Sequence, residues 1–66
     1  MRATVTFKNV RAIGDSGEAL KVLLEDAPNP WWVPQSLIDD DSEVWREGDE
    51  GDLVVPEWFA EKEGKI

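Results

Sequence analysis

MRATVTFKNVRAI, residues 1–13, decides how this chain folds. Ala3, Val5 and Phe7 alternate with Thr4 and Thr6 at period two, the pattern of a strand with one buried face. The apolar phase then slips, because Val10 and Ala12 continue on the other parity. One extra residue near Lys8 and Asn9 restores the alternation, so a bulge or bend is expected there.

On the C-terminal side, Gly14, Asp15, Ser16 and Gly17 are turn chemistry, and Leu20, Val22 and Leu24 resume a period of two. This predicts a hairpin. Pro28 and Pro30 mark a second turn, followed by Trp31, Trp32 and Val33 as a short strand that Pro34 must end or confine to a sheet edge. A single helical turn is expected over residues 35–38, a short strand carrying Val44 and Trp45 over 43–46, a loop over 47–51, and a strand over 53–55. Pro56 suits the first position of a final helix of about two turns, with Glu57 near its positive end, Gly64 placed to stop it, and Lys62 and Lys65 near its negative end. Trp58 and Phe59 are its expected anchors. The predicted architecture is α+β: a small, mostly antiparallel sheet of four to five short strands with one short C-terminal helix, a single domain over residues 1–66.

Sixty-six residues bury a limited core, and the chain answers with four tryptophans and two phenylalanines. It has no cysteine and no histidine, so disulfides, thiolate metal sites and the common nucleophile–base constellations are excluded. No apolar run approaches the ~20 residues of a membrane span, nor does the N-terminus carry a secretory stretch, so a cytoplasmic protein is expected.

The net charge of −8 is concentrated. Residues 1–38 hold four acids and four bases, and residues 53–66 hold three acids and two lysines. Between them, Asp39, Asp40, Asp41, Glu43, Glu47, Asp49, Glu50 and Asp52 face Arg46 alone, eight acids less one base for a local −7. A catalytic reading of these carboxylates needs convergence on a concave pocket, for which so small a domain has little room; no enzyme activity is expected. A calcium loop starting at Asp39 would place Val44 where the turn glycine belongs, and no helices flank it, so neither metal nor other cofactor is expected. What remains is mimicry. Duplex DNA presents about one negative charge per ~1.7 Å of axis, and a dense carboxylate array can occupy the same basic groove. Such a surface repels nucleic acid itself, so the expected partner is a basic nucleic-acid-binding protein, met by a monomer. The competing reading is a solvated loop that only maintains solubility. Crowding the charges is self-repulsive, which favours a partner over mere solubility.

Trp31 and Trp32 are adjacent, so a strand would turn them to opposite faces and leave one half exposed. That residue either covers a sheet edge or anchors an aromatic interface. Trp45 and Trp58 are expected in the core, with Trp45 pinning the acidic segment to the fold.

WWVPQSLI followed by DDDSEVWREGDEGDLVVPEWFAEKEG, residues 31–64, resembles a group of small acidic proteins encoded by bacteriophages and prophages. They share a Trp and Pro strand, an acidic run ending in Val-Trp, a Gly-Asp-Glu-Gly loop and a final Trp-containing helix. At least one such protein is an inhibitor of a type I (I-C-like) CRISPR surveillance complex. The resemblance implies an anti-CRISPR DNA mimic acting in the host bacterium's cytoplasm on the large subunit of such a complex, through the eight acids named above. The alternative is a phage accessory or structural interaction domain with an aromatic interface at Trp31 or Trp32 and a merely solubilising acidic loop.

Overall fold

The computed structural model describes residues 3–66, so the expected strand start at Met1 and Arg2 lies outside the described residues. Strands β1 (Thr4–Asp15), β2 (Ala19–Leu23), β3 (Trp31–Pro34) and β4 (Glu50–Pro56) precede helix α1 (Glu57–Lys62). They form one four-stranded sheet in the order β3-β2-β1-β4, with every pairing antiparallel. The single turn after β3 is a 3-10 turn over Gln35–Leu37.

The parity slip in β1 is a bulge. Phe7 faces Leu53 and Val10 faces Gly51, three steps on one strand against two on the other, and Asn9 takes up the excess at φ 57°. Asparagine tolerates this left-handed conformation better than most residues. Its side-chain amide donates to Glu25 at 2.9 Å, tying the bend to the segment after β2. Past the bulge, Val10 and Ala12 turn inward to join Leu20, Val22, Val33, Leu53 and Val55 in the core.

Trp31 links the sheet to the helix. It is 4% exposed, with the Phe59 ring stacked on it at 5.3 Å and the Phe7 edge at 5.6 Å. Its indole N–H donates to Glu63 at 3.3 Å. Helix α1 continues directly from β4: the Glu57 N–H donates to the Ala3 carbonyl, extending the ladder by one pair. Pro56 is the cap rather than the first helical residue, because its ψ of 141° still belongs to the strand. The helix ends as expected at Gly64, whose φ of 73° allows Lys65 N–H to reach the Ala60 carbonyl and Gly64 N–H to reach that of Glu61.

Two tryptophan expectations are overturned. Trp58 is 55% exposed, since a helix of six residues has only one inward stripe and Phe59 with Ala60 fills it. Trp45 is 37% exposed, and its indole N–H donates to the Ser42 carbonyl at 2.9 Å, so the ring lies along the loop. The inward place is taken by Val44, which is fully buried.

The expected strand over 43–46 does not form either. The outward groups of β4 are taken up by side chains as well as backbone, which no regular strand could do. Ser42 Oγ accepts from Val54 N–H at 2.8 Å and donates to the Val54 carbonyl at 3.1 Å. That carbonyl also receives Asp39 N–H at 2.8 Å, and the Asp52 carbonyl receives Glu43 N–H at 2.7 Å. Replacing Ser42 with Ala leaves the Val54 N–H buried without a partner, and urea unfolding should show a loss of about 1–3 kcal/mol with little change in the m-value.

Candidate functional site: the acidic segment

The eight acids of residues 39–52 divide by what their carboxylates do. Asp39 accepts the Asp41 N–H at 3.0 Å, closing a local turn, while its own N–H is bonded to β4. Glu43 Oε1 accepts the Asp52 N–H at 2.9 Å and so completes the edge of β4. The backbone is shaped to admit it. Gly51 lies at φ 149°, and a Cβ built there would stand 2.6 Å from Glu43 Oε1 and 3.1 Å from Glu43 Cβ.

Asp49 organises the loop. Its Oδ2 accepts N–H groups of Trp45 at 2.9 Å and Arg46 at 3.1 Å, bending the chain where a strand was expected. Those two hydrogen bonds hold the Asp49 carboxyl below its usual pKa of 3.8, opposed in part by desolvation and helped least by the Arg46 charge. The loop is joined to β1 through Ala12 N–H to the Asp49 carbonyl and Gly48 N–H to the Ala12 carbonyl, both at 2.9 Å.

Glu50 and Asp52 are answered by cations from β1. Arg11 reaches Glu50 Oε2 at 3.1 Å, and Lys8 lies 3.6 Å from Asp52 Oδ2. Both pairs are solvent-exposed, so each contributes at most about 1 kcal/mol. Their larger effect is on the field. Two cations counted in the neutral N-terminal half stand against the segment, so its −7 becomes −5 in space. The proximity of Lys8 and Arg11 follows from the β1–β4 pairing and has no signal in linear charge counting.

Asp40, Asp41 and Glu47 remain. All three are exposed and make no side-chain hydrogen bond or ion pair among the described residues. No three carboxylates converge closely enough to hold a metal ion among the described residues. An open concavity of about 440 Å³ between Phe7, Leu24, Glu25, Asp26 and Lys65 contains none of the eight acids.

The two adjacent tryptophans separate as alternation requires. Trp31 is buried, which removes it as an interface residue, whereas Trp32 is 48% exposed with the Lys21 ammonium 5.8 Å from its ring. No known protein family, characterised protein or solved structure matches this chain.

The depressed Asp49 pKa sets a direction for acid stability. A carboxyl with a lowered folded-state pKa stabilises fully above its unfolded value, near 3.8, and loses that contribution as pH falls through the lowered value. Asp49→Asn keeps one acceptor oxygen but cannot titrate. The wild type should therefore exceed Asp49→Asn in stability at neutral pH, and urea melts should show the gap closing below pH ~4.

Proposed function

We propose that this protein is an acidic binding module that occupies the nucleic-acid-binding surface of a basic partner protein by mimicking DNA. The observation that carries this reading is the contrast within the acidic segment. Val44 and Ser42 are buried and anchor the segment, Asp49 bends it and Glu43 joins it to β4, yet Asp40, Asp41 and Glu47 project with no internal role. Three unanswered carboxylates on an ordered loop cost stability through mutual repulsion without repaying it inside the fold. An external cation array would supply the compensation.

A sharper version of the proposal takes the resemblance of residues 31–64 to small phage proteins as its premise. In it the partner is the large subunit of a type I CRISPR surveillance complex, and the module blocks target DNA from the cytoplasm of the host bacterium. Glu50 and Asp52 would contribute by exchanging their intramolecular cations for the partner's. Complementarity of this kind acts mainly on association rate and register, and it weakens steeply with salt.

The test is competition. Wild-type protein should displace duplex DNA from a purified type I surveillance complex, less effectively as salt rises. The Asp40→Lys, Asp41→Lys, Glu47→Lys variant should lose about 100-fold in apparent affinity while its unfolding midpoint stays near that of the wild type. Charge reversal at Glu43 or Asp49 is unsuitable for this purpose, because both carboxylates hold the backbone. Undiminished competition by the triple variant rules out the acidic surface.

The exposure of Trp32 favours one other reading, an aromatic interface on the outer sheet face with the acidic loop serving solubility. Under it, Trp32→Ala abolishes capture of the partner from a bacterial lysate and the triple lysine variant captures normally.

A further inference from the structure

The sheet has two edges, and they are closed by different means. At β4 the outward groups of Asp52 and Val54 are bonded to residues 39–43. At β3 no segment is hydrogen-bonded to the outer side among the described residues, and the strand reads Trp31, Trp32, Val33, Pro34, with no charged side chain. An apolar, uncharged edge strand of this kind is a template for pairing with another chain.

The register shows what prevents it. Residues 31–34 of β3 face 22–19 of β2, and the Gln35 N–H donates to the Glu18 carbonyl at 2.9 Å, one pair beyond the strand. Antiparallel pairs alternate between hydrogen-bonded and non-hydrogen-bonded. With Gln35 and Glu18 bonded, the bonded pairs within the strand are Val33 with Leu20 and Trp31 with Val22. Trp32 and Pro34 therefore turn their backbone groups away from the sheet, and continuing the same register one residue before the strand puts exposed Pro30 at the preceding outward position. Two of these three residues have no N–H to give. The edge presents three carbonyls but a single donor, that of Trp32, and the two pyrrolidine rings stand where a partner strand would seek hydrogens.

We infer that Pro30 and Pro34 close β3 to strand addition, so that neither a second copy of this chain nor an extended peptide can lengthen the sheet. Recognition of any partner then falls to side chains, whether the free carboxylates of the loop or Trp32. The prolines cost the fold nothing in hydrogen bonding because each missing donor lies on the solvent side. Pro56 on β4 likewise faces Thr4 in a non-bonded pair, so its missing donor removes no hydrogen bond from the sheet, although that residue is buried.

Restoring the donors tests this. The Pro30→Thr, Pro34→Thr variant should show a sedimentation coefficient that rises with concentration, together with increased thioflavin binding, where the wild type shows neither through this edge. A folded double variant that sediments like the wild type at every concentration overturns the inference. Amide exchange in the unaltered protein decides independently of whether the variant folds. The Trp32 N–H should exchange at least about tenfold faster than those of Trp31 and Val33, at dilute and concentrated protein alike. Slowing of the Trp32 amide with concentration would show strand addition at β3 and overturn it equally.

Discussion

The outward backbone groups of Asp52 and Val54 on β4 have no neighbouring strand, and the way they are satisfied shapes the acidic half of the molecule. Buried amides left without partners cost more than most single contacts contribute. Here the Ser42 hydroxyl, the Glu43 carboxylate and the backbone N–H groups of Asp39 and Glu43 stand in for a fifth strand. That substitution brings Val44 into the core, requires the open backbone of Gly51, and leaves the following residues to be bent by Asp49. Charge and fold are thus entangled: part of the carboxylate density serves hydrogen bonding, and only the remainder is free to face outward.

Seen this way, the acidic run is three populations rather than one array. Asp39, Glu43 and Asp49 complete turns and edges; Glu50 and Asp52 rest against Arg11 and Lys8; Asp40, Asp41 and Glu47 are unassigned within the fold. A partner surface would meet the last group directly and the second by exchange of ion pairs. The first group would set the loop's shape. Charge reversal at one of those positions disturbs structure and recognition together, which is why the choice among eight similar residues matters.

Much of the fold was legible before the structure. The bulge at Lys8 and Asn9 followed from a parity slip, because side-chain alternation in a strand admits no other repair short of ending it. The short β3 followed from Pro34, the final helix stop from Gly64, and the opposed faces of Trp31 and Trp32 from adjacency alone. The errors lay where a side chain could compete with the backbone. Trp45 and Trp58 looked like core residues on size, yet Val44 and Phe59 hold the inward positions beside them, and the amphipathic Trp45 indole rests at the surface with its N–H bonded. The strand expected at 43–46 was lost to the Asp49 carboxylate, a bond between residues whose relation depends on a turn.

By itself, then, the sequence determined the period of each strand, the places where the backbone must turn, and the concentration of charge between Asp39 and Asp52. These are local properties, set by side-chain alternation, by proline and glycine, and by composition. Only the tertiary structure decided which carboxylates are free, which are opposed by cations, and which tryptophans face solvent. Those outcomes depend on pairing between β1 and β4, about forty to fifty residues apart, and on the obligation of every buried amide to find an acceptor. No linear pattern records which acceptor it finds.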